Sequence, residues 1–98
     1  MMPAVTLKGH VCTGHGCWPP RPSTEGDGRF TVGGVPVHLQ GQAWAAHTCP
    51  AIPETHASVL AAGAPRFTVG GKQLGRIGDP VACGSSVAQG DQRFTVGD

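Results

Sequence analysis

The clearest hydrophobic pattern in the chain is a five-residue alternation that occurs three times. Arg29-Phe30-Thr31-Val32-Gly33 returns as Arg66-Phe67-Thr68-Val69-Gly70 and as Arg93-Phe94-Thr95-Val96-Gly97. Phe and Val fall on one face and Arg and Thr on the other, the period-two pattern of a half-buried strand. Each copy has a glycine three residues upstream: Gly26, Gly63 and Gly90. Gly33-Gly34 and Gly70-Gly71 follow the first two copies, and such a pair supplies the positive φ angles of a tight hairpin turn. The match runs on without a gap, residues 33–41 against residues 70–78. The third copy ends before its second half. The extended segment Val5-Thr6-Leu7-Lys8-Gly9 at the chain start is expected to supply it. Three pseudo-symmetric hairpins, with motifs at 26–34, 63–71 and 90–97, then close into a ring. The chain reads as one all-β domain spanning residues 1–98.

Composition narrows this picture. Sixteen glycines and nine prolines in 98 residues leave no stretch free of both longer than Glu54–Ala62. Helix interiors tolerate neither residue well, so a helical domain is excluded. Their regular placement argues for turns rather than disorder. Charged residues make up 13% and the net charge is +1, which provides no electrostatic footprint for nucleic acid. No stretch approaches the length of a transmembrane helix. The N-terminus lacks the basic and apolar regions of a secretory signal, so a cytoplasmic origin is expected. The Phe and Val side chains of the three hairpins are expected to meet at one centre, but that core is small for the chain entropy it must offset. Something else, such as a structural metal, is expected to help hold the fold.

The chemistry lies between the hairpins. Cys12, Cys17, Cys49 and Cys83 stand among five histidines. In a reducing compartment that points to metal rather than to two disulfides. His15 follows the turn glycine Gly9 by six residues, His47 follows Gly41 by six, and Cys83 follows Gly78 by five. His56 precedes Gly63 by seven residues and Cys83 precedes Gly90 by seven, so these two hold equivalent places in successive repeats. Around a common axis, His15, His47, His56 and Cys83 converge into a four-donor set. Three imidazoles and a thiolate suit one Zn²⁺, and four protein ligands leave no open position, so the ion is expected to be structural. Cys49, two residues from His47, is an alternative ligand to it. Cys12 and Cys17 flank His15 and are alternatives there, or are buried small residues. His10 and His38 read as turn or surface residues, and Trp18 and Trp44 as packing residues.

Catalytic readings find little support. There is no HExxH pattern. Glu54, two residues from His56, is a poor candidate base for a metal-bound water when the ligand set is full. Cys-x-x-Cys is absent, and no helix follows the glycines to make a phosphate loop.

Several runs together carry a family resemblance: Cys12-Thr13-Gly14-His15-Gly16-Cys17-Trp18-Pro19-Pro20-Arg21-Pro22, then Trp44-Ala45-Ala46-His47-Thr48-Cys49-Pro50 with Thr55-His56, then Gly78-Asp79-Pro80-Val81-Ala82-Cys83-Gly84. With the repeated Arg-Phe-Thr-Val-Gly, the chain resembles the PAAR-repeat proteins of the type VI secretion system over nearly its whole length. It departs from their usual pattern at Ala57-Ser58, where Gly-Gly is common, and at Gln42, where Asp is common. The resemblance implies a small conical fold seated on the trimeric VgrG spike, one tip per trimer, with a zinc near the apex held by three His and one Cys. Those ligands map onto His15, His47, His56 and Cys83. It implies a non-enzymatic role: a monomeric point that starts in the cytoplasm, meets a target membrane transiently and is delivered with the spike. No fused effector domain is expected, so an effector or chaperone would be a separate chain docked on the flanks, where Arg29, Arg66 and Arg93 stand. Other readings are the tip of a contractile phage tail and a small zinc-dependent enzyme.

Overall fold

A computed structural model describes residues 2–51 and 54–97. Among them there is no helix. Eight short strands form four antiparallel pairs. β2 (Asp27–Val32) pairs with β3 (Val35–Val37). β6 (Thr68–Val69) pairs with β7 (Lys72–Gln73). β8 (Asp91–Thr95) pairs with β1 (Ala4–Val5). The third repeat is thus completed by the chain start, as its truncated sequence predicts. β4 (His47–Cys49) and β5 (Glu54–His56) form the fourth pair. Both residues of the Gly33-Gly34 and Gly70-Gly71 turns have positive φ, between 58° and 83°. That is the turn whose twist matches paired strands.

The three hairpins differ in length for a local reason. Asp27 Oδ1 accepts the backbone N–H of Arg29 at 2.9 Å, and Asp91 Oδ1 accepts that of Arg93 at 2.9 Å. These side-chain turns bend β2 and β8 before the Phe, and the pairing register shifts there in both. The equivalent residue in the second repeat is Ala64, which has no carboxylate, and β6 begins only at Thr68. Arg29 pairs with Asp27, and Arg93 with Asp91. The Arg29 guanidinium also lies over Gly70, and that of Arg93 over Gly33, so a Cβ at either glycine would strike it. The side chains tie neighbouring hairpins together.

The axis is closed by backbone hydrogen bonds. Thr6 N–H donates to Gly75 O (2.9 Å), Gly75 N–H to His38 O (2.9 Å) and His38 N–H to Thr6 O (3.0 Å). This three-membered ring joins the three extended segments that the sequence repeat aligns. Each segment then enters a β-turn closed by His10 N to Leu7 O, Gln42 N to Leu39 O, or Asp79 N to Arg76 O. In each, the third residue is a glycine with φ near +90°, the requirement of a type II turn. The fourth side chain caps the turn. His10 Nδ1, Gln42 Oε1 and Asp79 Oδ2 accept the N–H of Leu7, Leu39 and Arg76 at 3.2, 2.8 and 2.8 Å. His10 and Gln42 therefore do the work of the aspartate in the third turn.

Two apolar clusters stack along the molecule, which measures 38 × 25 × 22 Å. The first holds Val5, Leu7, Val32, Val37, Leu39, Ala64 and Leu74. Phe30, Phe67 and Phe94 pack against it half-buried, their rings meeting pairwise with centroids 5.1–5.6 Å apart. The repeated Phe residues thus cap one end instead of forming the centre, which belongs to the aliphatic residues of the axial segments. Beyond the type II turns, Cys12, Trp44, Leu60, Val81 and Val87 make the second cluster. Here Thr24 N–H donates to Ala43 O, Ala61 N–H to Pro80 O and Ala88 N–H to Val11 O, repeating the three-fold scheme. His38 is fully buried at this level against Trp44, ring centroids 4.0 Å apart. Its Nε2 is 2.9 Å from Gln42 O and its Nδ1 is 2.6 Å from Ser23 Oγ. It is a bonded core histidine, where the sequence suggested a turn or surface one. Burial lowers its pKa from 6.5.

The upstream glycines have a different purpose from turns. Gly26, Gly63 and Gly90 all have negative φ. A Cβ on Gly63 would enter the Leu74 carbonyl oxygen, and one on Gly90 would sit 2.9 Å from the Ala4 and Val5 oxygens. These positions need glycine because a neighbouring strand crosses there.

Candidate metal centre

Three loops extend from the second cluster, against which Cys83 packs, whereas the Phe residues pack on the first: one after Cys12, one after Trp44, one after Val81. The first carries His15 on a two-residue hairpin. His15 and Trp18 exchange backbone hydrogen bonds of 3.0 and 2.8 Å across Gly16-Cys17, and Gly16 takes φ +52°. Gly14, at φ +72°, packs so closely on the chain beyond the hairpin that a Cβ would lie 2.5 Å from Trp18 O. The second loop is the β4–β5 pair. His47 and His56 stand opposite each other in register, and Thr48 and Thr55 meet on the outer face through their hydroxyls at 2.6 Å. Alternation thus sends both histidines to the inner face. The third loop is a tight turn in which Gly84 N–H donates to Val81 O, presenting Cys83 as a free thiol.

The structure brings His15, His47, His56 and Cys83 together, with one donor atom from each all within 4.8 Å of one another. His56 Nε2 lies 3.0 Å from His15 Nε2 and 2.9 Å from His47 Nε2. His47 Nδ1–H donates to Pro19 O at 2.8 Å, which leaves its Nε2 lone pair facing the group. Three ring nitrogens this close cannot all carry protons. Desolvation first, and then electrostatic repulsion from the neighbouring His47 and His56 rings, lower the pKa of His15. Convergent lone pairs beside a thiol are the donor chemistry of a metal site, and the group is positioned to bind an ion.

Trp18 walls the group. Its indole stacks on His15 (centroids 5.0 Å, 23° between planes) and lies 4.9 Å from the His56 ring. Its packing role was legible, but its place beside two of the histidines was not. The signal available was its position directly across a two-residue turn from His15.

The remaining cysteines correct the expectation that no disulfide forms and settle the alternatives offered for Cys12, Cys17 and Cys49. Cys17 and Cys49 form a disulfide. Cys49 is therefore engaged with Cys17, and neither stands in the four-donor group. Cys12 is buried in the second cluster as a small apolar residue. The compartment argument weighed against disulfides but carried no geometry. Each bonded cysteine follows a converging histidine by two residues, so whatever brings the histidines together brings these sulfurs together too. The side chain of Glu54 lies outside the described residues.

No curated protein matches the chain. The family model described as PAAR motif matches residues 13–89 of the 98. That span covers all four converging donors, the disulfide and both Gly-Gly hairpin turns, and the chain belongs to the PAAR-motif family.

Proposed function

We propose that this chain is the non-enzymatic tip of a contractile secretion apparatus, seated on the trimeric VgrG spike of a type VI system. The observation that carries the reading is the closed three-fold arrangement. Three hairpins around one hydrogen-bonded ring let a single chain meet three equivalent subunits at once. The Phe-capped end is the surface offered to the spike. Its half-buried aromatic triangle supplies apolar contact, and its strand edges supply backbone pairing. The opposite end is the point, braced by one zinc held by His15, His47, His56 and Cys83. When bound, the ion supplies a rigid cross-link between all three loops. The residues around it fix orientation: Pro19 O holds His47, and Trp18 packs against His15 and His56. Four protein donors leave the metal no place for a reacting water, so the role is mechanical.

In this reading the protein is a monomer in the cytoplasm before firing. It leaves with the spike and touches the target membrane in passing. Mixing purified protein with the trimeric spike and sizing the product tests it. One tip per three spike subunits is expected, and failure to co-elute would overturn it.

A further inference from the structure

The Cys17–Cys49 disulfide closes the same stretch of chain as the metal group. Its cysteines are 32 residues apart, and His15 and His47 are separated by the same interval. In both segments histidine and cysteine are spaced i, i+2: in β4 this places His47 and Cys49 on one side of an extended strand, and in the first loop it puts Cys17 in the turn that His15 opens. The His15 hairpin and β4 therefore face each other at two successive positions. One pair is joined by sulfur, and the other meets at the four-donor group. Further ties link the same stretches nearby, His47 Nδ1–H to Pro19 O, Arg21 Nε–H to Ala46 O at 3.0 Å and Ala45 N–H to Pro22 O at 2.8 Å, and all three fall after the hairpin. The disulfide is the covalent link between the hairpin bearing His15 and β4.

Resting on the metal-centre reading above, we propose that the Cys17–Cys49 bond is a redox control on metal retention. Each cross-link closes the loop that the other requires closed, so each lowers the entropy cost of forming the other. Such coupling is reciprocal. The oxidised chain holds the metal more tightly, and the loaded chain keeps its disulfide against reductant. Exposure gives the chemistry a direction. Cys17 is exposed and Cys49 is fully buried. A small thiolate from solvent attacks the Cys17 sulfur, forms a mixed disulfide there and expels Cys49 as thiolate. A second small thiol then attacks the mixed disulfide, leaves as the small disulfide and frees Cys17. Two small thiols have supplied two electrons and two protons, and the protein has become a dithiol. A small disulfide as oxidant runs the same steps in reverse. A reducing compartment thus loosens the centre and an oxidising one locks it.

The test is a zinc titration against a chromogenic chelator, on the oxidised chain, the reduced chain held under inert gas, and the Cys17→Ser/Cys49→Ser double variant. Circular dichroism checks that each is folded. The oxidised chain is expected to bind about tenfold to a hundredfold more tightly than the other two. In the converse measurement, bound zinc slows reduction of the disulfide by dithiothreitol. Equal affinities in all three forms would overturn the coupling while leaving the metal centre standing. Tighter binding by the reduced chain would overturn it too, because Cys17 and Cys49 would then be serving as extra ligands. Zinc binding in none of the forms would remove both this proposal and the metal centre on which it rests.

Discussion

The two ends of the molecule are built by different means from one repeated sequence. At the Phe-capped end the three repeats do the same job. Each contributes an axial segment to the hydrogen-bonded ring, a type II turn and one Phe to the aromatic triangle. At the other end they diverge. One loop gives His15, one gives both His47 and His56, and one gives Cys83. The difference follows from what each end must satisfy. Backbone pairing around an axis is met by three copies of one solution. A four-donor group cannot be shared equally among three loops, so one loop gives two donors and pairs them across β4 and β5. The first end is held by many small contributions, and the second by a few cross-links.

That contrast predicts where damage is concentrated. Stripping the metal with a chelator should have the largest effect, because structural zinc contributes on the order of 10 kcal/mol in small folds. Hydrogen exchange should then show amides of residues 13–18, 47–49 and 54–56 losing protection, while those of Thr6, His38 and Gly75 keep theirs. Loss of protection at both ends together would mean that they are one cooperative unit.

At the other end, Leu74→Ala removes a fully buried side chain from the axial cluster. It should cost about 3 kcal/mol in urea unfolding, with metal content unchanged. A variant that also loses its metal would blur the distinction between the ends. Gly63→Ala pushes a methyl into the Leu74 carbonyl and should cost roughly 2 kcal/mol. Gly63→Ala tests whether the repeated upstream glycines serve close approach, since no turn is disturbed.

Acid should act by two mechanisms in two ranges of pH. Burial lowers the pKa of His38 in the folded chain, so the unfolded chain takes up the proton first. In metal-free protein, stability should therefore fall as pH drops below 6.5. His15 acts in the same direction. The carboxylates behave oppositely with respect to charge. Hydrogen bonds from Arg29 and Arg93 hold Asp27 and Asp91 at about 2, below the usual 3.8. Their contribution is present in full above about pH 4 and is lost as pH falls through 2. Both are surface pairs, so this is the smallest effect. Carboxyl chemical shifts followed by NMR through acid would show it, and unshifted values near 4 would refute the capping role.

The sequence made the repeats legible because their identities are literal, and that fixed the hairpins, the ring closure by the chain start and the all-β class. The convergence of His15, His47, His56 and Cys83 was legible from their distances to the repeated glycines, which act as a ruler along an otherwise variable loop. The placement of Phe30, Phe67 and Phe94 was not, because alternation gives a face but does not say whether it meets a core or an end. His10 and Gln42 hid their capping role because they differ chemically from Asp79 while accepting the same backbone bond. The Cys17–Cys49 bond was hidden for another reason. Redox compartment speaks to whether disulfides persist, and only the shared spacing to His15 and His47 speaks to which sulfurs meet.

The central claim is one metal ion held by four side chains at the end where the repeats diverge. Metal content by mass spectrometry tests it most directly, on the chain and on His15→Ala, His47→Ala, His56→Ala, Cys83→Ser and Cys49→Ser, each saturated with zinc and desalted. The account predicts one zinc per chain, lost or sharply reduced in the first four variants and still present in Cys49→Ser. Zinc lost with Cys49 but retained without His47, or a chain that carries none, would contradict it.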